Sequence, residues 1–403
     1  MREIEGGSVT TARGFRAAAV RAGIKPGTQK DDLALVCSAS VASAAAVFTT
    51  NRVQAAPIAV CREHLRDGQA RAVVLNSGNA NACTGEQGLA DARRMCALAA
   101  SALGLGTQEV LVCSTGVIGV PLPMAAIEAA LPAAAAALSE AGGAAAARAI
   151  MTTDTVPKTA AVEVAVEAGA SVVRIGGMAK GAGMIAPSMA TMLAVVTTDA
   201  QVPAPLLGAL LQQAASRSFN CITVDGDMST NDTLIVLANG ASGVPVREGG
   251  PVAAAFGRGL EAVCRQLARA IARDGEGATK LIPIRVRGGR TEAEARQVGL
   301  SVANSCLVKT AVFGNDPNWG RILCAMGYAG VELDPEKVAV SLCGTPIYAQ
   351  GRGRPFDKAA LSQRMRALEV PIDIDLAAGE AESEVFTCDL SYDYVRINAE
   401  YTT

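Results

Sequence analysis

The chain has 403 residues, with 36 Lys and Arg against 38 Asp and Glu, a formal net charge of −2 and a pI near 5.7. That balance excludes binding to a polyanion by bulk charge, and 3% aromatic residues leave few platforms on which nucleic-acid bases could stack. Half of the residues are apolar, which excludes disorder as the main theme, and the length exceeds what one hydrophobic core usually covers, so two lobes are expected.

Apolar β-branched runs alternate with alanine-rich stretches from end to end, the pattern of a layered, mixed α/β protein. The first residues, Met1-Arg-Glu-Ile-Glu-Gly-Gly7, lack the apolar segment of a signal peptide. The one histidine, His64, stands in Arg62-Glu-His-Leu65, a charged stretch expected at the surface. A Ser-His-Asp or Cys-His mechanism would have to use it, and a multi-histidine zinc site is excluded. Residues 71–75 and 109–113 read as strands, each running into a loop of small polar residues: Asn76-Ser-Gly-Asn-Ala-Asn81 and Ser114-Thr-Gly116. Loops at strand ends are where sites are commonly built.

Residues 121–150 are alanine-biased and read as two helices interrupted at Gly142-Gly143. Residues 160–166 and 171–175 suggest a hairpin around Ala168-Gly169, followed by a glycine-rich loop over 176–187 and a strand over 191–198. Further on, helical patterns cover 203–216, 249–273, 292–304 and 358–368. Strand patterns cover 234–238, 280–286, 338–342 and 384–390, and a polar-apolar alternation runs from Tyr392 to Tyr401. The 11 cysteines are scattered without a C-x-x-C pair, which suits small buried thiols in a reducing cytosol. The longest uncharged stretches, 181–198 and 200–216, carry Gly, Pro, Ser, Thr or Gln and make poor membrane spans.

Gly176-Gly-Met-Ala-Lys-Gly-Ala-Gly-Met184 has the look of a phosphate loop, but a P-loop needs Lys and then Ser or Thr after its last glycine, and here Gly181 is followed by Ala182 and Gly183. Asp274-Gly-Glu-Gly-Ala-Thr-Lys280 ends a helix instead of opening one, so a dinucleotide fingerprint does not fit either. The segment Lys180-Gly-Ala-Gly-Met-Ile-Ala-Pro-Ser-Met-Ala190-Thr191-Met-Leu is different, because its glycine-rich approach ends in a small residue followed by Thr191 at the mouth of an apolar strand. A strained peptide bond there could be attacked by the Thr191 hydroxyl. An ester would form, water would release it, and the freed α-amine, with a reference pKa of ~7.7–8.0, could serve as base for its own hydroxyl. Threonine at a strand start also fits plain β-propensity.

Taken in order, Asn76-Ser-Gly-Asn-Ala-Asn-Ala-Cys-Thr-Gly85, Cys113-Ser-Thr-Gly-Val-Ile-Gly119, Met151-Thr-Thr-Asp-Thr-Val-Pro-Lys158, the 180–193 segment, Asp225-Gly-Asp-Met-Ser-Thr-Asn-Asp232, Asp274 to Lys280 and Gly314-Asn-Asp-Pro-Asn-Trp-Gly-Arg321 resemble the ornithine acetyltransferase, or ArgJ, family over essentially the whole chain. The resemblance implies a cytoplasmic acetyltransferase of arginine biosynthesis, with a mixed α/β fold of two lobes and the active site between them. It implies self-cleavage between Ala190 and Thr191 into an α chain, 1–190, and a β chain, 191–403, assembled at least as a heterotetramer. Such enzymes move acetyl from N-acetylornithine to glutamate through the β-chain threonine. They bind no metal or resident cofactor, and some members also accept acetyl-CoA.

Carried over by position, Thr191 matches the nucleophile, and Thr115 with Gly116 the oxyanion hole. Thr153, Lys180, Glu276, Asn398 and Thr403, together with Thr191, match the substrate-binding positions. Lys180, Thr153 and Asn398 can donate to an α-carboxylate, and Glu276 and the Thr403 carboxylate can accept from an amine. Glu276 could equally orient the nucleophile. Without the family, Thr115-Gly116 reads as a turn, and Lys180 and Glu276 as a solvated surface pair. Ser188 stands where Asn is expected, which bears on cleavage efficiency. Two rivals share these residues: an N-terminal-nucleophile aminopeptidase, with water as acceptor, and an amino-acid-binding protein that never cleaves.

Overall fold

The structure, a computed structural model, describes residues 1–25, 27–166, 171–186 and 192–400. Strands β1 (Arg2–Glu3), β2 (Phe15–Val20), β3 (Leu33–Phe48), β4 (Gln69–Asn79), β5 (Val110–Val117), β6 (Lys158–Val166), β7 (Ser171–Lys180), β8 (Leu193–Thr198) and β9 (Thr233–Ala238) form one mixed sheet. Its order is β1-β6-β7-β8-β9-β3-β4-β5, with β2 also on β3. Strands β10 (Leu281–Gly289), β11 (Ala339–Leu342), β12 (Thr345–Ala349), β13 (Arg352–Gly353), β14 (Ile372–Asp375) and β15 (Ala381–Cys388) form the second sheet, ordered β13-β12-β11-β14-β10-β15.

Helices α1 (Ala56–His64), α2 (Gly85–Leu103), α3 (Met124–Ala136) and α4 (Gly143–Ala149) cover one part of the first sheet, and α5 (Ala204–Ser216) and α6 (Pro251–Arg273) cover another. Helices α7 (Glu292–Ala303), α8 (Cys306–Phe313), α9 (Trp319–Gly327) and α10 (Lys358–Arg364) pack on the second sheet around a separate core, and α11 (Tyr392–Glu400) follows it. In α6 the buried Phe256, Leu260, Val263, Leu267 and Ile271 recur at helical spacing. Strands β8 and β9 are buried at every position because both faces are covered. Leu193, Val195, Ile235 and Leu237 belong to the core under α1–α4, whereas Ala194, Val196, Leu234 and Val236 pack with α5 and α6.

Strand β3 joins two halves of the first sheet. Its residues Leu33 to Cys37 pair with β2 and β4, its residues Ser43 to Phe48 pair with β9, and the β4 register shifts between Cys37 and Ala42. Strands β9 and β5 lie three places apart, ~14 Å in a flat sheet at ~4.8 Å per strand. Yet Asn231, two residues before β9, donates a 2.8 Å hydrogen bond to the Ser114 carbonyl of β5. The sheet therefore folds over at β3 and brings distant strand ends to one place.

Several expectations are corrected here. Asn76–Asn79 and Ser114–Val117 are strand, not loop, because β4 and β5 keep pairing in parallel through Ser77 with Thr115 and Gly78 with Gly116. Gly176 to Lys180 is also strand, the end of β7. The glycines there serve close packing: a Cβ on Gly176 would lie 2.1 Å from the Ser8 carbonyl oxygen. His64 is buried instead of exposed, with Nδ1 2.7 Å from the Val110 carbonyl oxygen, because it ends the helix that packs on β5.

The alternation from Tyr392 onward forms helix α11. The chain leaves the sheet at Asp389, whose carboxylate accepts the Thr279 and Lys280 N–H groups, and Ser391 Oγ then accepts the Asp393 N–H, starting a helix. The 160–166 and 171–175 hairpin is present as β6 and β7, with its Ala168-Gly169 turn outside the described residues.

Candidate active site

Thr115 and Gly116 sit in β5, where its backbone lies directly against β4. Gly116 has φ +136°, and a Cβ there would come within 2.3 Å of the Gly78 carbonyl carbon, so this position admits only glycine. Thr115 is buried, and Lys180, at the end of β7, places Nζ 3.4 Å from Thr115 Oγ1. The turn and surface-pair readings both give way. Thr115-Gly116 is strand, and Lys180 is 2% exposed and Glu276 9%.

A network of buried charge holds Lys180. Burial pushes its pKa below the lysine range against the opposing pull of Asp154. The Asp154 carboxylate accepts from Lys158 Nζ at 2.6 Å and from the Gly181 N–H at 2.7 Å. Burial would raise the Asp154 pKa, but Lys180, Lys158 and the Gly181 N–H together outweigh it and bring it to about 2. Glu276 donates its N–H to the Ala182 carbonyl at 2.8 Å, and its Oε2 accepts from Asn398 Nδ2 of α11 at 2.8 Å. A Cβ on Gly183 would lie 2.3 Å from the Glu276 carboxyl carbon, so glycine lets that carboxylate rest on the loop.

Thr115, Gly116, Thr153, Lys180, Glu276 and Asn398 line one small cavity of about 100 Å³. It lies where strand ends of the first sheet meet the segment after α6 and the helix that follows the second sheet, hence at the seam of the two lobes. A larger hollow of about 860 Å³, between Arg217, Arg265, Arg285 and their paired Glu292 and Glu384, contains none of these residues. Convergent buried donors and acceptors, not size, mark the small cavity as the candidate active site.

Ala190 and Thr191, with Ser188, and the terminal Thr403 lie outside the described residues. Met192, the residue after Thr191, is fixed on both sides: its N–H donates to Asp232 Oδ1 at 2.7 Å, and its carbonyl accepts the Thr233 N–H at 3.1 Å. Burial raises the Asp232 carboxyl well above the usual range. Asn231 donates through Nδ2 to the Ala80 carbonyl at 2.6 Å as well as to Ser114. Sequence reasoning gave no role to Asp154, Asn231 or Asp232. The signal available was their place inside the 151–158 and 225–232 motifs. Among the described residues no group of three or more His, Cys, Asp or Glu could hold a metal ion, and no helix is long and apolar enough to cross a membrane.

Comparison with known proteins shows the family. The ArgJ family matches residues 16–403. An arginine biosynthesis bifunctional protein ArgJ of Symbiobacterium thermophilum is 53% identical over 399 residues, covering 98% of this chain and 99% of the relative. One from Thermus thermophilus is 51% identical, covering 98% of this chain and 100% of the relative. The crystal structure of an arginine biosynthesis bifunctional protein ArgJ from Bacillus halodurans aligns with TM-score 0.50 and 41% identity, covering 51% of this chain and 98% of that one. The chain belongs to the ArgJ family of arginine biosynthesis enzymes.

Proposed function

We propose that this chain is a self-cleaving glutamate N-acetyltransferase that moves acetyl from N-acetylornithine to glutamate through an acetyl-Thr191 intermediate. The observation that carries this reading is the meeting, in one cavity, of Thr115, Gly116, Thr153, Lys180, Glu276 and Asn398, contributed by segments from residue 115 to residue 398. In maturation the Thr191 hydroxyl adds to the Ala190 carbonyl, the Ala190–Thr191 amide is exchanged for an ester, and water hydrolyses the ester. The products are a chain of residues 1–190 and a chain beginning with Thr191.

The two products would stay together. Strand β8 pairs with β7 from Lys180 to Ile175, and β9 pairs with β3, so both chains contribute to one sheet. A solved relative matched over 98% of its length yet spanning 51% of this chain has the proportion of one such product.

In transfer, the neutral Thr191 amine takes the hydroxyl proton as the oxygen adds to the acetyl carbonyl. Lys180 donates to Thr115 Oγ1, which leaves the Thr115 hydroxyl hydrogen free to point at the developing oxyanion, alongside the Gly116 N–H. Collapse expels ornithine with a proton, and glutamate then enters and reverses the sequence to leave as N-acetylglutamate. Thr153, Lys180 and Asn398 face the substrate α-carboxylate, and Glu276 and the Thr403 carboxylate face the amine. Acetyl-CoA is a further candidate donor.

The assembly would be a cytoplasmic heterotetramer of paired chains. The test is an acetyl-transfer assay offering glutamate with N-acetylornithine or with acetyl-CoA. Transfer from N-acetylornithine is expected, and release of acetate to water with no transfer to glutamate would favour a hydrolase instead.

A further inference from the structure

Thr115 and Met192, the residue after Thr191, belong to different halves of the folded sheet, Thr115 on β5 and Met192 beside β8. No strand pairing connects β5 to β8 or β9. Besides the Lys180 to Thr115 contact, two consecutive side chains bridge them. Asn231 Nδ2 reaches across to the carbonyls of Ala80 and Ser114, the latter adjoining Thr115, while Asp232 Oδ1 holds the N–H of Met192, adjoining Thr191.

Both residues are themselves held in place. Asn231 Oδ1 accepts from Thr230 Oγ1 at 2.6 Å, its N–H donates to Ser229 Oγ at 3.1 Å, and the Asp232 carbonyl accepts the Thr49 N–H at 3.0 Å. Asn231 is 6% exposed and Asp232 is fully buried. An asparagine amide presents two donors on one nitrogen, which suits two carbonyls from different segments, and nothing shorter could make both bonds.

We infer that Asn231 and Asp232 form a clamp that sets Met192, the residue bonded to the proposed nucleophile, against the strand that carries Thr115 and Gly116. This rests on the acetyltransferase reading above. Asn231 also lines the cavity, but its amide nitrogen is committed to the Ala80 and Ser114 carbonyls; both residues act by positioning, and a misplacement of about 1 Å can cost ~10²-fold in rate.

The experiment is a kinetic cycle on the purified full chain with N-acetylornithine and glutamate, comparing Asn231→Ala, Thr115→Ala and the double variant. Asn231→Ala should lower kcat by about 10–100-fold with KM changed less than about threefold. In the Thr115→Ala background the same change should cost several-fold less than in wild type, since only the Gly116 N–H is left to aim. Asn231→Ser keeps one donor and should fall between wild type and alanine, which preserves the test if Asn231→Ala does not fold. Asp232→Ala should lower kcat as well, and Asp232→Asn, which keeps an acceptor for the Met192 N–H, should recover most of that loss.

Equal losses in both backgrounds, or a rise in KM with kcat intact, would make Asn231 a structural residue and overturn the clamp. Asp232→Asn as impaired as Asp232→Ala would overturn the Asp232 half. A wild-type chain that transfers no acetyl group would instead overturn the acetyltransferase reading, and the clamp with it.

Discussion

Lys180 Nζ approaches Thr115 Oγ1 at 3.4 Å, although β7 and β5 stand at separate places in the sheet and only the fold at β3 brings them together. A lysine that donates to a hydroxyl oxygen orients the hydroxyl hydrogen away from itself. Thr115→Ala should therefore lower kcat by about 10²–10³-fold while leaving KM much less affected. Steady-state kinetics of a fully cleaved preparation checks this, and a kcat within a fewfold of wild type would reduce Thr115 to a packing residue.

Gly116→Ala should damage the fold as well as the site. Its Cβ would meet the Gly78 carbonyl carbon at 2.3 Å and the Asn79 nitrogen at 2.4 Å, all of it backbone that cannot swing aside. Overpacking costs about 1–3 kcal/mol, with strain at φ +136° in addition. Urea unfolding should show a lower midpoint together with lost activity. A variant as stable as wild type would mean that β4 can move away from β5.

The Asp154 network predicts a specific dependence of stability on pH. Its folded pKa is about 2 against an ordinary 3.8, so its contribution is fully present above about pH 4 and is lost as pH falls toward 2. Asp154→Asn removes the partner of two buried lysines and should cost about 3–5 kcal/mol near neutrality. Unfolding midpoints of wild type and variant should converge as the pH is lowered through that window. A gap that stays constant down to pH 2 would contradict the assignment.

His64→Gln separates folding from chemistry. The ring is buried on the Val110 carbonyl and does not line the cavity, so the variant should melt at a lower temperature. Its rate should still follow one ionisation near the α-amine value of ~7.7–8.0, falling as pH drops below it. Loss of that ionisation in the variant would implicate His64 as the base.

The elements legible in the sequence were those with strong local period. Helix α6, the α3 and α4 pair around Gly142-Gly143, and strands β8 and β9 all stand where periodicity placed them. Misreadings fell where tertiary contact overrode local signals. Asn76 to Asn79 and Gly176 to Lys180 carry turn-forming residues, but they are strand because glycine admits a neighbouring backbone at close range. Residues 392–400 alternate like a strand, but the Ser391 side chain accepts the Asp393 N–H and starts a helix there. Cavity residues 115, 153, 180, 276 and 398 could be named from the family resemblance. The Asn231 bridge could not, because it depends on the sheet folding at β3, a long-range event that no local pattern announces.

The central claim, an acetyl group carried on Thr191, is tested most directly by mass spectrometry of the purified protein before and after N-acetylornithine alone. The account predicts two chains, the second beginning Thr-Met-Leu-Ala, and a gain of one acetyl group on Thr191 of that second chain when no glutamate is present. A single uncut chain, or two chains with no acetyl trapped under single-turnover conditions and intersecting double-reciprocal plots, would contradict it.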